Sequence, residues 1–224
     1  MTQERINNLQ KILDSGDYNK LLEEMSEVKY PECNLPKDRR DEICDNLIAD
    51  ANYYYSLSNR EKEEIKTDAI AMQILANQNV KFLSIASEKL LSDPEFALDC
   101  IVMDRDALPY FKAPALANDF FYYAAKQHYK NHLNNLTNNI EQIDVHKLDK
   151  KYLNKVKIIY NEVKNRKVTF EQFVSDRLCD EIKTYHNNFI NEIDNKHDFS
   201  KKFLAKREKT IDSINKKSGL EGRV

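Results

Sequence analysis

Residues 93–110, DPEFALDCIVMDRDALPY, decide how the rest of the chain is read. An aspartate precedes a proline, and Phe96, Leu98 and Ile101 follow at helical spacing. A carboxylate at that place caps a helix and favours its positive end, while proline at the first helical position lacks an N–H that has no partner there anyway. A polar turn, MDRD, comes next; Leu108 and Phe111 form a second apolar pair, and Leu116 stands before another aspartate, Asp119. The preceding stretch, DAIAMQILANQNVKFLSIASEKLLS from Asp68, has the same order, and Asp68, Asp93 and Asp119 lie 25 and 26 residues apart. With a one-residue gap after Asp68 the copies register at a constant offset of 26, which pairs Ile70 with Phe96, Ala71 with Ala97, Met72 with Leu98, Leu75 with Ile101, Phe82 with Leu108, Ile85 with Phe111 and Leu90 with Leu116. A helical unit this short cannot bury its apolar face alone, so the pattern predicts stacked neighbours, with DFFYYAAKQ from Asp119 as a third half-copy.

Composition agrees with helices. With 3 glycines and 5 prolines in 224 residues the chain has few tight turns, whereas strand-rich folds need many. Apolar periodicity predicts helices over 2–14, 17–29 and 37–57, and Ser58 with Glu61 makes a capping box opening a fourth. The Asn-rich stretch 134–139 reads as a joint, followed by helices over 146–166, 170–194 and 198–217, with Thr169 and Gln172 as a second capping box. Apolar spacing near 3.5 in these last helices predicts an antiparallel bundle. The expectation is an all-α protein of stacked short helical repeats plus a C-terminal antiparallel helical bundle, in regions 1–66, 67–135 and 140–224.

The pattern D-x-E-[FV]-x-L-x-[AC]-[IV], then A-L-x-[YF], then A-x-x-L-x-x-D, resembles a short tandem helical repeat family of unknown function. That family occurs in bacterial proteins, including effector-type proteins of intracellular pathogens, and in some protist proteins. Asp93, Glu95, Phe96, Leu98, Cys100, Ile101, Ala107, Leu108, Tyr110, Leu116 and Asp119 carry the likeness, which covers roughly residues 67–127. The first copy lacks the acidic residue after its aspartate and has Val80-Lys81-Phe82 where the family shows A-L. The resemblance implies helical pairs and a host-interacting bacterial protein, and it leaves open whether and by which route the chain is exported into a host cell without a classical signal peptide; it brings no catalytic residues.

Charge is unevenly spread: residues 1–144 carry 16 Lys/Arg against 25 Asp/Glu, and 145–224 carry 19 against 12. The basic C-terminal third suits an acidic protein surface or anionic lipid and is too dilute in charge to favour nucleic acid. Cys33, Cys44, Cys100 and Cys179 form no C-x-x-C pair, which predicts free thiols, mostly buried, in a reducing compartment. No apolar run approaches the roughly 20 residues that span a bilayer, and the first ten residues have no apolar core of a signal peptide, so a soluble chain is expected.

No motif carries a reaction. His128 and His132 share a helix face, but Tyr129 stands where the zincin motif needs glutamate, so both read as surface histidines and no metal or other cofactor is expected. Cys179 and His186 are two helical turns apart, about 10 Å of rise, beyond hydrogen-bond reach. Among Asp99, Asp104 and Asp106, Asp106 reads as a cap and Asp99 as solvent-facing. Consecutive aromatics cannot all face one core, so Tyr53, Tyr54, Tyr55, Tyr110, Phe120, Phe121 and Tyr122 are the candidate partner-binding residues. Lys201, Lys202, Lys206 and Arg207 form a candidate basic surface on a helix with Phe203 and Leu204 on its apolar side. The expected function is non-catalytic binding of another protein, host or bacterial. The alternatives are a membrane-surface adaptor and an enzyme whose site is assembled from distant residues.

Overall fold

The structure, a computed structural model, describes residues 35–139, 150–162 and 168–217 together with 8, 9, 11, 12, 15, 20, 24 and 148. The expected helices at 2–14 and 17–29 therefore lie largely outside the described residues, although Leu9 and Ile12 are buried as their spacing requires. The protein is all-α, and its helices pack against one another. It divides into two compact units, Met1–Ala125 with Ile193–Val224, and Lys126–Glu192, a division that differs from the three consecutive regions expected.

The first unit opens with α1 (Lys37–Ala49), α2 (Tyr53–Ser56) and α3 (Asn59–Thr67). One helix was expected over 37–57; it breaks because Asp50 is extended and its carboxylate accepts the Asn52 N–H at 2.9 Å, a local turn that competes with helix. The Ser58–Glu61 capping box is formed in both directions at the start of α3.

Next come α4 (Ala69–Gln78), a 3₁₀ helix Val80–Ile85 and α5 (Glu88–Leu91). They are followed by α6 (Pro94–Met103), a 3₁₀ helix Arg105–Tyr110 and α7 (Ala113–Leu116). Element for element the second set repeats the first at an offset of 25, and so do the bonds that hold it. Asp68 accepts from Ile70 and Ala71 N–H; Asp93 accepts from Glu95 and Phe96. After ten helical residues the chain turns extended at Asn79 and at Asp104, whose side chains accept from Lys81 and Asp106. Ser87 N–H bonds the Lys66 carbonyl at 2.8 Å, and Lys112 N–H bonds the Leu91 carbonyl at 2.8 Å, each tying a 3₁₀-to-helix junction back to the residues just before the copy's opening cap.

This register corrects the offset of 26. Leu83 pairs with Leu108, not Phe82 with Leu108, and both leucines are wholly buried. Ala71 pairs with Phe96, Met72 with Ala97 and Leu91 with Leu116, all buried. The third copy opens at Asn118, whose side chain accepts from Phe121 N–H at 3.2 Å, so Asn118 rather than Asp119 is the equivalent of Asp93. Apolar matches alone allow a slip of one because Leu90 and Leu91 are both buried and adjacent. Asp104, not Asp106, is the cap, and Asp99 accepts a 2.8 Å bond from Gln73 of the preceding copy. Each buried Leu, Ile or Phe in the stack stabilises it by about 1.5–3 kcal/mol.

Helix α8 (Asp119–Asn138) begins in the first unit and ends in the second. The expected joint at 134–139 is helical through Asn138: no Gly or Pro interrupts it, and Thr137 and Asn139 bond back to carbonyls of Leu133 and Asn135. In the second unit α9 (Lys150–Glu162) pairs with the start of α10 (Phe170–Lys217). Val156 and Val174 share a small core flanked by Tyr152, Leu153, Phe170 and Phe173, and Tyr160 meets Phe170 and Phe173. Contacts that rise along one helix and fall along the other make the pair antiparallel. The expected division of α10 near 194–198 does not occur. Buried positions continue along it as His186, Phe189, Ile193, His197 and Ser200, so polar residues carry the stripe where apolar periodicity lapses.

Candidate functional site

The first unit presents an apolar groove of about 260 Å³ lined by residues that include Leu47, Tyr54, Tyr55, Lys81, Phe82 and Ile85. Its tyrosines are placed by short-range polar bonds. Arg39 of α1 bonds Glu61 of α3 at 2.6 and 2.9 Å, and Glu61 also closes the Ser58 capping box, so α2 is held between two linked helices. Hydrogen bonds from Ser58 and then Arg39 pull the Glu61 carboxyl down to about 2. Buried Leu57 anchors the end of α2 and leaves Tyr55 78% exposed, with Tyr53 and Tyr54 half-buried. Tyr54 and Tyr55 meet edge to face with centroids 6.1 Å apart, and Lys62 lies 5.7 Å over the Tyr54 ring. The groove floor comes from the first copy: Phe82 and Ile85 belong to its 3₁₀ helix, a contribution sequence reasoning missed because it assigned both to the core.

The other aromatic candidates divide. Phe120 and Phe121 are 2% and 1% exposed and belong to the core of the first unit, a correction to their reading as partner-binding residues. They fall at the third copy's equivalents of Glu95 and Phe96, both of which are buried too. Tyr110 is half-buried, and Tyr122 stacks on His197 with centroids 4.1 Å apart. Tyr123, not singled out from sequence, is exposed.

On the last part of α10, Lys202, Lys206 and Arg207 are exposed, whereas Lys201 bonds the Asp119 carboxylate at 2.6 Å. Phe199 is 68% and Phe203 49% exposed, and their rings stack with centroids 6.5 Å apart; Ile211, two turns on, is exposed as well. Leu204, expected beside Phe203, is instead half-buried.

In the second unit His128 is half-buried rather than on the surface, His132 is exposed, and His186, distant in sequence, is a neighbour of both. Ring centroids are 6.1 Å apart for His128 and His132 and 5.4 Å for His132 and His186. Burial, then the neighbouring imidazoles, lowers His128 to about 4. Among the described residues no group of three or more His, Cys, Asp or Glu side chains is arranged to hold a metal ion. His186 Nδ1 faces the Ile182 carbonyl at 3.0 Å, and the ring packs beside Tyr129 and His132. Burial raises the Cys44 thiol to about 11 and pushes Cys100 up as well, which makes both poor nucleophiles. Cys33 lies outside the described residues. Among the described residues no helix is long and apolar enough to cross a membrane. No family model matches the chain, and comparison with curated proteins and with solved structures finds no match either.

Proposed function

We propose that this protein is a non-catalytic binding module that holds another protein in the groove formed by Tyr54, Tyr55, Phe82 and Ile85. The observation that carries the reading is the combination of an apolar groove with a 78% exposed tyrosine at its edge, on a frame fixed by the Arg39–Glu61 pair and the Ser58 cap. Tyrosine gives a large contact area at low conformational cost, which suits the centre of a protein interface. The resemblance of residues 67–127 to repeats of effector-type proteins supports a bacterial effector, or a modulator of one, whose partner is a host or bacterial protein. Affinity capture from host and bacterial lysates, with wild type beside Tyr55→Ser and Phe82→Ser, tests it. A stoichiometric partner kept by wild type and lost by both variants supports the groove; a partner kept by both variants places binding elsewhere.

A second reading rests on the exposed, stacked pair Phe199 and Phe203 on the helix that carries Lys202, Lys206 and Arg207. An exposed aromatic pair with cations on the same helix fits the surface of an anionic membrane. Flotation with vesicles of phosphatidylserine and phosphatidylcholine separates the readings: binding that falls on Phe199→Ser/Phe203→Ser supports the membrane, and no binding removes it.

A further inference from the structure

We infer that His197 terminates the repeat stack by donating the hydrogen bond that the backbone of a following copy would otherwise give. Two copies use the same stitch: Ser87 N–H bonds the carbonyl of Lys66, and Lys112 N–H bonds that of Leu91. The acceptors are 25 residues apart, and so are the donors. The next acceptor in the series is Leu116 and the next donor residue 137, but 137 lies inside α8 and not at a 3₁₀-to-helix junction. The Leu116 carbonyl is instead met by His197 Nδ1 at 2.8 Å, the same length as the two stitches before it.

The surroundings fit a purpose-built end. His197 is 5% exposed, so an unpaired carbonyl beside it would be costly. A carbonyl can only accept, so Nδ1 must carry the proton. The other ring nitrogen, Nε2, lies 3.4 Å from the Asp119 carboxylate, which also receives Lys201. The imidazole lies flat on Tyr122, which occupies the position held by Met72 and Ala97 in the earlier copies. One turn and a half of α10, from Tyr122's partner His197 to Lys201, thus takes the seat of a further repeat and closes the array after the half-copy.

The first test leaves the protein intact. Long-range ¹H–¹⁵N spectra of the full-length chain should show the His197 ring protonated at Nδ1; a bare Nδ1 overturns the inference. The second compares His197→Asn, which keeps a donor at the Nδ1 position, with His197→Phe, which keeps the ring on Tyr122 but has no donor. Hydrogen exchange of amides 113–121 should quicken about tenfold in the Phe variant relative to the Asn variant, the size expected when a buried carbonyl loses its donor. Equal exchange in the two variants contradicts the inference. Should the Phe variant fail to fold while the Asn variant folds, the donor is still the difference between them; should both fail, the ring-nitrogen spectra decide.

Discussion

The copies 68–92 and 93–117 follow one backbone course with few residues in common. At an offset of 25 they are identical only at Asp68/Asp93, Leu83/Leu108 and Leu91/Leu116. Elsewhere bulk is exchanged: Ala71 stands where Phe96 does, Met72 where Ala97 does, and all four are buried. One position even inverts, with Ile70 42% exposed and Glu95 3% exposed. What recurs without change is the placing of polar groups: a cap accepting two N–H groups, an extended Asn or Asp opening a 3₁₀ helix, and one N–H to carbonyl stitch. Cores accept exchanged volumes if their total is kept, whereas a buried backbone group without a partner has no such freedom. The repeat is therefore defined by its hydrogen bonds more than by its side chains.

The largest effect is expected at the shared leucines. Leu83→Ala and Leu108→Ala should each cost about 2–5 kcal/mol in urea unfolding, because each leaves a cavity at an equivalent wholly buried site. A cost near zero at either site would break the equivalence.

Acid sharpens the contrast between the copies and Lys126–Glu192. His128 is held down to about 4 by burial first, whereas in the unfolded chain it takes a proton near its ordinary 6.5. The unfolded state then binds more protons, so the stability His128 contributes is present above about pH 6.5 and is lost as pH falls toward 4. The slope cannot exceed about 1.4 kcal/mol per pH unit for one proton, and partial exposure of the ring reduces it. Hydrogen exchange across this range should show amides near 126–133 and 182–190 losing protection while those at 94–103 keep theirs. His128→Leu should flatten the dependence.

Smaller effects belong to the caps. Asp93→Ala should cost about 1 kcal/mol, the usual worth of a helix N-cap. Asp93→Asn should cost no more than about 0.5 kcal/mol, since Asn118 fills the same role in the third copy. A large penalty for asparagine would separate the third copy from the others.

The all-α class was legible because scarcity of Gly and Pro and the 3.6-residue apolar pattern act along the whole chain. The two opening aspartates were legible for the same physical reason that makes them caps. The true register was not: apolar neighbours such as Leu90 and Leu91 fit either offset, and Asn118 caps as Asp does, so a series of aspartates alone runs to Asp119 instead. Matching cap roles at Asp68, Asp93 and Asn118 would have found it. The continuity of α10 was hidden because His197 and Ser200 take buried positions that periodicity reserves for apolar residues. At the groove, the exposed Tyr55 was legible from three consecutive tyrosines, but the floor at Phe82 and Ile85 depends on contacts distant in sequence.

The most direct measurement is residue-resolved hydrogen exchange at two amides, Ser87 and Lys112. Neither lies inside a helix, yet each bonds a carbonyl 21 residues earlier in the chain. Both should be protected, and to a similar degree, well above the amides of Glu88 and Ala113, which open the helices that follow and have no intrahelical acceptor. Free exchange at both, or protection at one alone, would contradict a repeat built on a recurring hydrogen bond.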